Sequence, residues 1–405
     1  MLYDAYQARQ DFFAPLRICA DLTAAALREP MAGPWGNLFT RTMGAAAELV
    51  ARSGLTHERP PYDIADIKLA GNVVQITEEP ALETPFGTLL HFRKSVSLNQ
   101  KRVLLVAPLA GHFATLLRDT VRTLLPDHDV FITDWNNARD ISRDKGAFGL
   151  DDYVEHVMRF IEYLGPDTHV IAVCQPAVPV LAAVSLLNEE APEEAPRTMT
   201  LIGGPIDTRE GPTAVNAFAK KHSLDWFRRH VIHHVPFGNA GFMRQVYPGF
   251  LQLAGFMAMN LDRHVEAHYQ MFQHLVEGDG EPLASKRRFY EEYRAVMDLP
   301  AAYYLQTIEK VFQEHHLPRG LFTHRGHTVD PSAIERTALQ TIEGERDDIS
   351  GLGQTRASHT LATRLDDAKR EHIEQPGVGH YGLFNGRRFR EQVAPRIKGF
   401  IAAHR

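Results

Sequence analysis

The 405-residue chain is poor in cysteine, in net charge and in long apolar runs. Its two cysteines, Cys19 and Cys174, are too few for a disulfide framework and form no C-x-x-C metal or redox pattern. A reducing compartment is the plain consequence. The formal net charge is −6, with no long basic or acidic block, which argues against nucleic acid or anionic lipid as partner. No stretch approaches the roughly 20 apolar residues that a bilayer crossing needs. The opening "MLYDAYQARQDFFAPLRICADLTAAALREP" has no basic leader, apolar core or small-residue cleavage site, so a cytoplasmic protein without a membrane span is expected. Internal repeats and low-complexity tracts are missing too, which excludes solenoids and disordered scaffolds.

What is present is alternation. Residues 1–60 carry apolar positions at helical spacing, with Pro30 closing the first helix, and form an N-terminal helical segment. From residue 70 the runs "NVVQI", "TLLHF", "RVLLVAP", "VFITDW", "HVIAVC" and "TMTLIGG" read as strands, several separated by helical stretches such as "DDYVEHVMRFIEYLG". Strands alternating with helices predict an α/β protein with a mostly parallel sheet covered on both faces. The first part of this core spans residues 61–206. After the sixth strand the alternation stops, and residues 207–331 read as a helical insertion rich in Phe, Met, Tyr and His. The core resumes over 332–405 with "ALQTIEGERDD", "EHIEQ" and a terminal helix.

In such sheets reactive groups collect at the carboxyl ends of strands. Cys174 stands where "HVIAVC" turns into the helix "QPAVPVLAAV", near a helix N-terminus that favours thiolate; the simpler reading is a buried, inert thiol. His380 in "GVGHYG" follows the last strand, and Asp347 in "GERDDIS" ends the one before it, with Asp348 as the alternative acid. Nucleophile, acid, histidine is the chain order of α/β-hydrolases. The backbone N–H of Gln175 is the first candidate donor to an oxyanion, and that of Leu109 or Ala110, in "APLAGH", is the second. His112 in the same loop is a candidate for a direct role or a helix start. No cofactor or metal is called for: "HVEAH", residues 264–268, puts its acid in the middle, unlike the metalloprotease arrangement.

"VCQPAVPVLAA", "VAPLAGHFATLLRDTV", "TDWNNAR", "EGERDDISGLGQTRA" and "VGHYGLFNGRRFR" together resemble the intracellular poly(3-hydroxybutyrate) depolymerases, almost end to end. The resemblance implies an α/β-hydrolase in which Cys174 is nucleophile, Asp347 orients and His380 is general base. The hydrolase elbow usually reads G-x-S-x-G; here Ala172 and Pro176 hold the glycine positions, and a Cβ at 172 restricts the approach of neighbouring strands.

The implied reaction is ester cleavage through a thioester, completed by water or by coenzyme A. The insertion then becomes a lid, and Phe242 and Tyr247, with Trp135 and Tyr381, are candidate substrate contacts; the lid aromatics otherwise form its own small core. Polymer or granule surface is the expected partner, and a homodimer is open. A polyhydroxyalkanoate synthase would carry glycines around the cysteine, a small-ester or thioester hydrolase would need no large lid, and an inactive granule-coating protein would not keep all three residues.

Overall fold

The computed structural model describes residues 2–27, 34–51, 53–259, 292 and 294–404. Nine strands form one sheet: β1 (Asp66–Leu69), β2 (Asn72–Glu83), β3 (Gly87–Lys94), β4 (Lys101–Val106), β5 (His128–Trp135), β6 (Thr168–Val173), β7 (Thr198–Ile202), β8 (Ala338–Gly344) and β9 (Arg370–Gln375). Their order is β1-β2-β3-β5-β4-β6-β7-β8-β9. The pairs β1/β2, β2/β3 and β3/β5 are antiparallel, and every pair from β5 to β9 is parallel.

Side chains two apart share a sheet face, and the central strands obey that period. Leu104, Val106, Val170, Ala172, Met199 and Leu201 pack under helices α4 (Leu150–Leu164) and α5 (Ala177–Glu190). Val103, Leu105, Ile171, Val173, Ile202 and Ile342 face the other way, onto Val121 and Leu124 of α3 (Arg118–Leu124) and Ile397 and Ile401 of the last helix, Ala394–Ala403. Burial on both faces explains why "HVIAVC" and "TMTLI" read as continuous apolar runs rather than as alternating ones.

The N-terminal segment forms α1 (Leu2–Ala26) and α2 (Pro34–Ala51); Pro30 lies outside the described residues. α1 is tied down by Tyr3, whose hydroxyl donates to Asp298 Oδ2 at 2.5 Å, and by Tyr6, stacked on Phe250 at 4.0 Å. Because β1 precedes the strands legible in the sequence, the insertion expected after a sixth strand follows β7. It is not wholly helical. Beside helices such as Gly249–Met259 and Ala301–Thr307 it holds a three-stranded antiparallel sheet, His233–His234, Gln245–Tyr247 and Leu299–Pro300, and a hairpin at Thr323–His324 and His327–Thr328. Strands of two or three residues are too short to leave a period. The "HVEAH" histidines lie outside the described residues.

One core histidine makes the fold acid-sensitive. His169 on β6 is fully buried; Nδ1 meets Thr198 Oγ1 at 2.9 Å, and Nε2 has no partner among the described residues. Burial, foremost, then nearby cations pull its pKa down to about 4. The folded state therefore resists a proton that the unfolded chain accepts near pH 6.5. Its contribution is complete above that pH and is lost as pH falls toward about 4. Between pH 7 and 5 this group alone is expected to cost roughly 2 kcal/mol. Urea midpoints at the two pH values should therefore differ less in His169→Asn than in wild type; parallel losses would refute the assignment.

Candidate active site

Cys174 follows β6 directly and leads through Gln175 and Pro176 into α5. Its φ of +69° is in the left-handed region, an uncommon conformation for a side chain with a Cβ. The strain is held from both sides: Cys174 N–H donates to the β7 carbonyl of Ile202 at 2.7 Å, and Cys174 O accepts from Ala177 N–H at 3.1 Å. This is a sharp strand-to-helix turn at the carboxyl end of a central parallel strand. The other cysteine, Cys19, sits exposed on α1.

Two loops at the same end of the sheet bring the other polar groups. Asp347, after β8, is buried; Oδ1 accepts from the N–H groups of Ile349 and Ser350 at 2.9 and 2.8 Å. Its other oxygen, Oδ2, lies 2.7 Å from His380 Nδ1, while Asp348 is exposed to solvent. His380 opens a short turn after β9 and is 5% exposed. Burial pulls its pKa down, but the charge on Cys174, the charge on Asp347 and hydrogen bonds to both outweigh it and hold the imidazole well above its ordinary range.

The room that a hydrolase elbow normally takes from its own glycines is found just past the end of the neighbouring strand. Gly203 and Gly204 follow β7. A Cβ on Gly203, φ +54°, would stand 3.2 Å from His380 Cε1 and 3.3 Å from Asp347 Oδ2, and one on Gly204 would overlap Ala177 Cβ. Ala172 thus keeps its methyl, fully buried between β4 and β7. Thr355 clamps this pair: its hydroxyl accepts from Gly204 N–H at 2.8 Å and donates to Gly204 O at 3.0 Å. Glu343 in turn accepts from the N–H groups of Gly353, Thr355 and Arg356 at 2.7–2.9 Å. Sequence reading missed Gly203, Gly204, Glu343 and Thr355; "LIGG" at a strand end was the one available signal.

The remaining candidates divide. Gln175 adjoins the cysteine, and Leu109 and Ala110 follow β4, the strand paired beside β6. Leu109's side chain belongs to the core, Ala110's carbonyl accepts from Gln252 in the insertion, and His112 is 7% exposed and bridged to Val296. Tyr381 meets the His380 ring edge-on at 6.0 Å. Trp135 is a core residue, 2% exposed, whose indole N–H donates to Ala107 O at 2.8 Å. Tyr247 packs on Tyr304 at 4.2 Å. Phe242 stands edge-on to the exposed Phe237 and lines a hollow with Tyr3 and His233, whose wall does not include Cys174, Asp347 or His380. A cavity of about 640 Å³ opens beside Trp135, Phe113 and Asp134; Cys174, Asp347 and His380 are not on its wall. Among the described residues no cluster could hold a metal ion, and no helix is long and apolar enough to cross a membrane.

The strand order, the turn at Cys174 and the loops carrying Asp347 and His380 define an α/β-hydrolase. Residues 203–405, half of the chain, match the family described as "PHB de-polymerase C-terminus", and the chain belongs to that family of carboxylic ester hydrolases. The matched region contains Asp347 and His380 and begins beyond Cys174. Solved structures similar to this chain include Rv0554 of Mycobacterium tuberculosis (14% identity, 82% of this chain and 96% of that one covered, TM-score 0.47). Others are a thermophilic esterase of Thermogutta terrifontis (14%, 82% and 100%, 0.41) and the meta-cleavage product hydrolase of Pseudomonas fluorescens (13%, 84% and 98%, 0.42). No curated protein matches the sequence.

Proposed function

We propose that the chain is a cysteine-dependent poly(3-hydroxybutyrate) depolymerase acting on polymer granules inside the cell. The observation that carries this reading is a cysteine held at positive φ on the strand-to-helix turn, beside a histidine paired to a buried aspartate.

Cys174 Sγ, its proton held by His380, attacks the ester carbonyl of a 3-hydroxybutyrate unit. The carbonyl π electrons move onto oxygen, and the N–H of Gln175 with that of Leu109 or Ala110 stabilises the oxyanion. Collapse expels the alkoxide end of the chain, which takes the proton from His380 and leaves a thioester on Cys174. A water then attacks the thioester carbonyl while His380 accepts its proton; breakdown releases the carboxylic acid and returns the proton-sharing pair. Coenzyme A could replace water as acceptor and would leave an acyl-CoA. Asp347 keeps the proton-bearing Nδ1 of His380 turned toward itself, so that Nε2 serves the reaction. The inserted segment serves as the lid over a chain-binding cleft.

The test is clearing of native amorphous poly(3-hydroxybutyrate) granules by purified protein, with soluble products identified with and without coenzyme A. Turbidity should fall in wild type and not in Cys174→Ala, and the product names the acceptor. Folded wild-type protein that cleaves short soluble esters but leaves granules intact would remove the polymer assignment and favour a small-ester hydrolase.

A further inference from the structure

We infer that Gln252, on the inserted helix Gly249–Met259, is a positioning residue for ester cleavage: it holds the loop after β4 in the conformation that aims its backbone N–H groups at the oxyanion. The inference rests on Cys174 being the nucleophile and adds what the insertion does at that site.

The loop Leu109–His112 has little internal support. It forms neither helix nor strand, and among the described residues the contacts holding its peptides come from the insertion. The side-chain amide of Gln252 donates to Ala110 O. One residue on, Gly111 O accepts from Met297 N–H at 2.9 Å, and His112 forms an isolated antiparallel bridge with Val296. Gly111 has φ +89°, and the space a Cβ would need there is filled by the Gln252 amide. Glycine at 111 therefore has two causes, the backbone angle and the approach of Gln252.

Peptide planarity turns this contact into a directional constraint. Holding Ala110 O restricts rotation of the planar Ala110–Gly111 peptide, and with it the range of ψ open to Ala110. The N–H groups of Leu109 and Ala110 lie at most two peptides upstream, anchored at their other end by Ala107, whose N–H is bound to Thr133 Oγ1 at 2.9 Å. With both ends held, the directions open to the intervening N–H groups are narrowed. Loss of the Gln252 contact frees one end, and donors that must be aligned before the reaction lose that alignment.

The helix that presents Gln252 is itself anchored at its start. Gly249 N–H donates to Asp298 Oδ1 at 2.9 Å, and Phe250 stacks on Tyr6 of α1. A chain of contacts thus runs from the N-terminal helix through the insertion to the loop beside the cysteine turn.

The test separates oxyanion stabilisation from thiol reactivity. Iodoacetamide alkylates Cys174 by displacement at a saturated carbon and needs no oxyanion donor; cleavage of a short p-nitrophenyl ester needs both thiol and donor. Gln252→Glu keeps the shape but not the donated N–H, and Gln252→Leu removes all polarity. In both, kcat for the ester should fall about 10- to 100-fold, with KM and the Cys174 alkylation rate within about twofold of wild type. Binding of a short-chain aldehyde, which forms an oxyanion adduct with the thiol, should weaken in parallel with kcat. If kcat is unchanged, or if alkylation and turnover drop together, Gln252 has no such role and is only structural. Ester cleavage surviving in Cys174→Ala would instead overturn the reading on which the inference rests.

Discussion

Cys174→Ala is expected to abolish ester cleavage, by at least roughly 10⁴-fold in kcat, while the protein folds as before. A nucleophile that forms the covalent intermediate has no substitute in the site, and removal of one member of a cooperating set costs nearly as much as removal of the set. The fold should tolerate the change, because alanine keeps the Cβ and the backbone bonds that impose φ +69°: Cys174 N–H to Ile202 O, and Ala177 N–H to Cys174 O. Thermal midpoint and circular dichroism should therefore stay near wild type. A thiol-reactive reagent supplies an independent readout, since Cys174 adjoins a proton-holding imidazole and Cys19 stands exposed on α1. Mass mapping after brief iodoacetamide treatment should find label at Cys174 first. Ester turnover within tenfold of wild type in the alanine variant would remove the nucleophile assignment, and with it the thioester route.

Asp347→Asn is expected to lower kcat by about 10³- to 10⁴-fold, as loss of an orienting carboxylate does in related constellations. An amide N–H turned toward His380 Nδ1 would demand the wrong tautomer, leaving Nε2 protonated when it has to accept. The loss is also electrostatic. Burial alone would depress the imidazole; it stands high because the charges of Cys174 and Asp347 outweigh burial. With one charge gone, His380 should titrate at lower pH than in wild type, and the imidazole proton resonances should report that change directly. The sign follows from which form is stabilised: a neighbouring anion favours imidazolium, so its removal favours the neutral ring. Asp348→Asn is the control. Asp348 is exposed and should be nearly silent. A wild-type His380 titrating at an ordinary histidine pH would contradict the electrostatic account, as would equal losses in the two variants.

Much of the architecture was legible along the chain because burial on two faces writes itself as apolar runs. The runs at β4 to β8, the helices between them and the pause after "TMTLIGG" place the parallel sheet and its insertion without reference to any contact. The short elements left no such record. β1 and the two- and three-residue strands of the insertion are defined by partners far away in sequence, as in Gln245–Tyr247 against Leu299–Pro300. Among candidate contacts, Trp135 shows what composition cannot tell: its indole N–H is committed to Ala107 O while its ring also borders the cavity beside Phe113 and Asp134.

Order and residue type, properties of the sequence by itself, determined the fold class and nominated Cys174, Asp347 and His380, since strand ends and turns can be read locally. Tertiary structure alone decided what stands around them. Asp347 rather than Asp348 faces the histidine because the loop after β8 buries one carboxylate and leaves the next in water. The glycines that make room at the elbow follow β7 instead of flanking the cysteine, and the loop after β4 is gripped by Gln252, 142 residues further along the chain. These are contacts between segments distant in sequence. Their energies depend on distance and direction in space, and no local pattern of residues encodes either.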